Sequence, residues 1–191
     1  MSKQESASEL KSDPDGSADD ESPYYRWPLT PMVSAADVPT WLQPPIQLTE
    51  EEFYPLKEHG IRRSWNAYGT VDNHTLGILG EGCYAKYRGS LHLVDTALRE
   101  RGDGGVDIEF DGYTVDVKTA GRRYSNPDLI VDDYQELRAD FYVLVHRIGK
   151  LHFRLVGYAP RQFVANASKG VFNGRSCHVV PQRHLFPFPP E

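Results

Sequence analysis

Asp107, Asp116 and Lys118 flank a tight-turn signal, Asp111-Gly112. On either side the chain alternates apolar and polar residues, over 106–110 and again over 113–118, the period of half-buried strands. An Asp-Gly pair between two such runs predicts a two-residue type I′ hairpin. With that turn Phe110 faces Tyr113, and counting outward Asp107 faces Asp116, with Cβ atoms roughly 4.5–5.5 Å apart. Lys118 falls on the same face about 7 Å along the strand. Like charges in direct opposition destabilise a sheet, and a divalent cation between them reverses the sign. The bland alternative is a solvated sheet face on which Lys118 neutralises its neighbour. Val106, Ile108, Phe110, Tyr113, Val115 and Val117 line the other, apolar face and are predicted core. Glu109 shares the polar face but lies toward the turn, opposite Thr114, and is an outer candidate only.

A third acid lies upstream. Leu76, Leu79, Cys83 and Tyr87 recur near helical spacing, with Asp72 or Asn73 as candidate caps and Gly89 just past the end. Glu81 sits inside this predicted helix between Gly80 and Gly82. Each glycine costs a helix roughly 1 kcal/mol relative to alanine. Close approach of another backbone, or room for a ligand, would justify them. Otherwise Glu81 is a surface residue in a weak helix.

An acid on a helix, then Gly102-Asp-Gly-Gly-Val-Asp107, a short turn and Val115-Asp-Val-Lys-Thr119 together resemble the PD-(D/E)XK nuclease superfamily, in particular small stand-alone members from phages, archaeal viruses and prokaryotes. The resemblance spans about residues 74–160, with 139–145 and 153–158 as following core strands. It implies an α/β fold with a restriction-endonuclease-like αβββαβ core, a mixed central sheet flanked by helices. It matches Glu81 to the family's helix acid, Asp107 to the first strand acid, and Asp116 with Lys118 to the tripeptide. It implies a Mg²⁺ site, with Mn²⁺ as substitute, held by Glu81, Asp107, Asp116 and the Val117 carbonyl, and products with a 5′-phosphate and a 3′-hydroxyl. Val106 stands where the family's motif has proline. The crossover after the motif strand is expected from 125–138, with a helix as short as 132–137, although 129–131 also reads as a short strand. Gln135 is a weak match to a glutamine found in some members, and Asp103 is a second choice for the first acid.

The elements that must position these residues occupy one domain. Residues 1–22 hold seven acids against two lysines, a net of −5 out of −6 for the whole chain, and no aromatic. Such a segment cannot bury enough apolar surface to order itself, so a disordered acidic tail is expected. The remainder is near neutral despite the proposed acidic pocket, so basic residues must gather elsewhere on it. Residues 23–48 form a Pro- and aromatic-rich arm, 49–185 the nuclease-like domain and 186–191 an extended Pro-rich tail. No apolar run approaches a membrane span and the N-terminus does not read as a signal peptide, so a cytoplasmic setting (the host cytoplasm, for a viral protein) is expected. Cys83 and Cys177 give no sign of a disulfide, and Cys177, His178 and His184 lack the spacing of a zinc site. No internal repeat, Walker loop, HExxH or GxSxG motif is present.

Thr49 and Glu52 predict a capping box opening a helix to about His59. Arg62 and Arg63, with Trp65, suit phosphate and base contact, or equally the negative end of a helix dipole. Arg99 and Arg101 precede the Gly-rich bend 102–105. Arg122 and Arg123, in Gly121-Arg-Arg-Tyr124, lie just past Lys118 and suit a phosphate backbone. A second hairpin is predicted from 141–148 and 151–158, with Asp140 at its start, then a short helix over 160–167 with Pro near its N-terminus and an edge strand at 178–180.

The function expected is a Mg²⁺-dependent deoxyribonuclease of recombination, repair or restriction type, with Asp107 and Asp116 as metal ligands and Lys118 stabilising charge on the phosphate. DNA is the expected partner, and a homodimer or a protein partner engaged through the aromatic arm is a further one. The rival readings are a nuclease-like domain that binds nucleic acid without cutting it, and an adaptor in which the hairpin is merely structural.

Overall fold

Asp111 and Gly112 both have positive φ, 52° and 79°, the geometry of a type I′ turn. The turn joins β2 (Ile108–Phe110) to β3 (Tyr113–Ala120) in the expected antiparallel register, with Phe110 opposite Tyr113, Glu109 opposite Thr114 and Ile108 opposite Val115. The structure, a computed structural model, describes residues 44–64, 70–94, 106–133 and 136–188. Expectations for the acidic tail, for the arm up to residue 43, and for Trp65, Arg99, Arg101, the bend 102–105 with Asp103, Gln135 and the last three residues lie outside the described residues.

On its other edge β3 runs parallel to β5 (Phe141–Arg147), which returns antiparallel as β6 (His152–Pro160); β1 (Ile46–Gln47) closes the far side. The five-stranded mixed sheet has the order β1-β6-β5-β3-β2. Parallel neighbours require a crossover, and its described residues contain no helix. The expected helix at 132–137 is replaced by β4 (Leu129–Asp132), followed at 133 and 136–139 by irregular chain. The reason lies in Leu129 and Val131, which alternate as in a strand and are buried in a second sheet of order β4-β8-β7. Its other strands are β7 (Ser168–Phe172) and β8 (Arg175–Val180). A second pair of positive-φ residues, Asn173 and Gly174 at 50° and 76°, turns β7 into β8. The Asn-Gly pair is a hairpin signal in its own right, and it makes β8 a central strand rather than the edge strand expected at 178–180.

The helices α1 (Glu50–Ser64) and α2 (Val71–Tyr87) cover one face of the large sheet. The capping box at α1 forms: the Glu52 N–H donates to Thr49 Oγ1 at 3.2 Å and the Thr49 N–H to Glu52 Oε2 at 2.7 Å. The helix runs past His59 to Ser64 because its second half packs on α2. Thr70, rather than Asp72 or Asn73, caps α2, accepting from the Asn73 N–H at 3.2 Å. The short α3 (Arg161–Ala165) follows β6, as the proline pattern predicts. No helix of the described residues is long and apolar enough to cross a membrane.

The two glycines flanking Glu81 have separate explanations. A Cβ on Gly80 would lie 1.8 Å from Thr119 Oγ1, and one on Gly82 would lie 2.3 Å from Leu56 Cδ1. Gly80 therefore lets α2 touch β3, and Gly82 lets it touch α1. Between helices and sheet lies one core, with Phe53, Leu56, Ile78, Leu79 and Tyr84 against Val115, Val117, Val143, Val145 and Phe153. The reverse face of the sheet, through Ala120, Tyr142, Leu144 and Val156, packs on Leu129, Val131, Val180 and Leu185. Burial on both faces is why β5 reads as an unbroken apolar run. The C-terminal tail is docked rather than merely extended: Phe186 bridges to Tyr158, and the buried Phe188 ring lies 5.4 Å from Tyr158 and 5.5 Å from Tyr87.

Candidate active site at the open end of the hairpin

Asp107 sits one residue before β2. Its N–H donates to the Val115 carbonyl at 2.9 Å, although Ile108 is the residue paired with Val115. Two consecutive residues thus face one, the pattern of a bulge, and the ladder ends there. The Asp107 carboxylate turns onto the next free amide, Oδ2 accepting from the Val117 N–H at 2.7 Å. Direct opposition of Asp107 and Asp116 is therefore corrected: the turn sets the register for three pairs, and the bulge then shifts it. Two effects favour the shift. A short carboxylate competes well for a nearby backbone N–H, and the shift relieves two facing like charges. The N–H and C=O of one strand residue address the same neighbour, so the Val117 carbonyl lies on the edge that Asp107 occupies.

Asp116 and Lys118 alternate away from the helices. Val115 and Val117 pack in the helix-side core and Thr119 meets Gly80, which leaves 116, 118 and 120 on the reverse face. There Asp116 is only 4% exposed and its Oδ1 lies 2.7 Å from Lys118 Nζ. Lys118 reaches outward, its side chain 37% exposed. Tyr142 is the β5 residue paired with Asp116. Burial, and then the Asp116 charge, push its hydroxyl up to about 12, so it remains protonated at neutral pH.

Glu81 is also buried, at 5% exposure, but on the helix side of β3. Its Oε1 lies 3.7 Å from Arg63 Nη1 of α1. The structure thus gathers Asp107, Asp116, Val117 and Lys118 at the end of β2 and holds Glu81 on the other face of the sheet. Among the described residues no group of three or more His, Cys, Asp and Glu side chains is placed to hold a metal ion. Two carboxylates and a carbonyl on neighbouring residues nonetheless suit Mg²⁺, which keeps several waters and takes one or two carboxylates together with substrate phosphate.

Of the basic residues singled out, Arg62 is paired with Glu58 at 2.5 Å one turn away, and Arg63 with Glu81. Both lie on α1 rather than beside Asp116. Arg122 and Arg123 are exposed in the turn after β3, and Arg123 lies 4.9 Å from the Tyr124 ring centroid. Glu109 is exposed opposite Thr114.

The network that anchors the start of β3 is legible only in the structure. Asp140 Oδ2 accepts from the Thr114 N–H at 2.9 Å and from Thr114 Oγ1 at 2.8 Å, while Arg161 pairs with Oδ1. Its sequence signal is slight, an aspartate just before a strand. Burial alone would raise the Asp140 carboxyl, but the hydrogen bonds from Thr114 and the charge of Arg161 outweigh it and hold the group below the usual carboxylate range. Because the folded carboxyl titrates below the unfolded one, its contribution is fully present above the unfolded value of about 4 and is lost as pH falls through the folded value. Asp140→Ala is expected to cost on the order of 2 kcal/mol at pH 7. Melting curves from pH 7 to 3 should show the variant's deficit shrinking at the acid end, and a deficit that does not change with pH would contradict this account.

Comparison with protein-family models, with curated proteins and with solved structures found no match.

Proposed function

We propose that the chain is a metal-dependent deoxyribonuclease whose centre is formed by Asp107, Asp116, the Val117 carbonyl and Lys118. The observation that carries this reading is the Asp107 carboxylate seated on the Val117 amide, next to a buried Asp116 paired with a solvent-reaching lysine. A hairpin built only for stability has no need of two acids around one strand residue. The chain path supports the finer reading of a restriction-endonuclease-like core: an acid-bearing strand antiparallel to the Asp-X-Lys strand, which runs parallel to the next core strand. A helix carries the third acid over that sheet.

In this reading Asp107, Asp116 and the Val117 carbonyl would hold Mg²⁺, or Mn²⁺ in its place. When bound, the ion polarises the scissile phosphate and lowers the pKa of a water. Asp116, with Oδ1 2.7 Å from Lys118 Nζ, orients the ammonium. Lys118 then stabilises the negative charge that grows on the phosphate as the bond breaks and orients the attacking water. Tyr142 presents a protonated hydroxyl beside Asp116. Glu81 takes an outer part, through water or through release of its Arg63 pair, because it approaches β3 from the other face. Arg122 and Arg123 contact the phosphate backbone beyond Lys118, and the ion pairs of Arg62 and Arg63 leave them a secondary part.

The purified chain, incubated with linear, nicked, branched and single-stranded DNA in Mg²⁺ or Mn²⁺, should cut at least one of them to leave a 5′-phosphate and a 3′-hydroxyl. Its melting temperature should rise with Mg²⁺. No cleavage of any substrate, together with no metal-linked stabilisation, would sink the proposal in favour of an adaptor. DNA binding without cleavage would favour a non-cutting nuclease-like domain.

A further inference from the structure

Positive charge on this molecule is unevenly neutralised. Arg62, Lys86, Lys150, Arg161 and Lys169 each face an acid within ion-pair distance. Around the C-terminal ends of β3 and β5 the pattern changes. Arg122, Arg123, Arg147 and Arg154 have no carboxylate within that distance among the described residues. Arg147 instead donates to the backbone carbonyls of Gly149 and Lys150, at 3.0 and 3.1 Å. Burial, and then the neighbouring Arg122 charge, hold its guanidinium below the ordinary arginine value.

A row of residues crosses the sheet at this end. Ala120 of β3 pairs with His146 of β5, and His146 pairs with Arg154 of β6. His146 is 7% exposed, and its Nε2 is buried without a partner, as is Arg154 Nε. Burial and the Arg154 charge lower His146, while backbone hydrogen bonding with Tyr124 and Gly121 acts in the opposite sense. The ring thus lies beside the turn that carries Arg122 and Arg123. The like charges of Arg122 and Arg147, and the Arg154 charge beside the buried His146, weaken a fold that has no use for them. A polyanion laid across this end relieves the repulsion between the guanidinium groups.

We propose that this end of the sheet is a tract for a nucleic-acid phosphate backbone, contacted by Arg122, Arg123 and Arg154 and continuous with the site at Lys118 two residues before Ala120; Arg147, which pairs with Phe153 and lies over the Phe53 and Phe153 rings, adds its charge from the helix side. The choice of nucleic acid among polyanions rests on the nuclease reading above. Arg122, Arg123 and Arg154 contact phosphates and therefore position the strand without reading its sequence. Arg123, stacked on Tyr124 at the surface, can also take an unstacked base.

The test is fluorescence anisotropy of the full chain with a short duplex and a short single strand, in EDTA, across a salt series. Arg122→Gln with Arg154→Gln is expected to weaken binding at least about tenfold near 0.1 M salt. It should also flatten the salt dependence by roughly two counterions, about 0.9 per phosphate contact on duplex and 0.7 on a single strand. Its melting temperature should stay level or rise, since removing repulsion does not harm the fold. Lys169→Gln with Arg175→Gln, an equal charge change on the small sheet, should bind within twofold of the unaltered chain. Equal binding by the tract variant and the unaltered chain overturns the tract, as does an unaltered chain that binds neither probe at 50 mM salt. If the tract variant alone loses binding while the unaltered chain cuts nothing in Mg²⁺, the tract stands and the nuclease reading falls. If both chains bind and cut alike, the nuclease reading stands and the tract falls.

Discussion

Asp116→Asn is expected to lower DNA cleavage in Mg²⁺ by at least about a thousandfold, the scale on which a group that holds or stabilises the reacting charge acts, and to leave the chain folded. The amide has the shape of the carboxylate, so the buried space beside Tyr142 stays filled. It cannot serve as an anionic metal ligand. Its partner Lys118 is 37% exposed and is hydrated when the pair is lost, so the structural loss is small, as for partly exposed ion pairs generally. Lys118→Ala should also lose cleavage, but the two variants should part in a second measurement. On the proposed mechanism Mg²⁺ would compete with the Lys118 ammonium for Asp116. The melting-temperature rise caused by Mg²⁺ should therefore vanish in Asp116→Asn and persist or grow in Lys118→Ala. Full cleavage by either variant removes the mechanism, and a Mg²⁺-linked shift that survives in Asp116→Asn removes Asp116 as a ligand.

Gly80→Ala should be the most damaging small substitution in α2. The added methyl would sit 1.8 Å from Thr119 Oγ1, 2.9 Å from its Cβ and 3.0 Å from its Cγ2. Turning the Thr119 side chain clears the oxygen but not the Cβ, which is fixed to the strand. Helix and strand must then separate, and overpacking of this kind typically costs 1–3 kcal/mol and occasionally more. Alanine's better helix propensity returns about 1 kcal/mol, so from the upper end of that range a net loss of roughly 2 kcal/mol and a melting temperature lower by about 4–8 °C are expected. Gly82→Ala is the control on the same helix. Its methyl meets the far end of Leu56, 2.3 Å from Cδ1 but 3.4 Å from Cδ2 and Cγ. That side chain can rotate away, so the variant should stay within about 1 kcal/mol of the parent. Urea denaturation of the two variants decides it. Equal stability would mean that α2 does not rest on β3 through Gly80.

These glycines show where reading the chain alone runs out. Gly80-Glu81-Gly82 announces a helix under some constraint, but not that one glycine serves a strand and the other a helix, since each partner lies far away in sequence. The crossover shows the same limit. The 129–131 run is short enough to suit helix or strand, and β8, nearly fifty residues later, makes it a strand. Asn173-Gly174 carries a local turn signal that the expectation of an edge strand at 178–180 did not use, and pairing of β8 on both sides is not local at all. The aromatic tail at 186–188 reads as a loose end until Tyr87 and Tyr158 are brought beside it.

Local chemistry alone determined the Asp111-Gly112 hairpin, its alternation, the Thr49–Glu52 cap and the closeness of Asp107, Asp116 and Lys118, because turn geometry and side-chain period act over a few residues. Only the tertiary structure decided that Asp107 would bulge onto the Val117 amide, that Glu81 would lie across β3 from Asp116, and that arginines without an acid among the described residues would gather at one end of the sheet. Those outcomes depend on which strands become neighbours and which faces are buried, and burial of apolar surface is a property of the whole chain rather than of any segment.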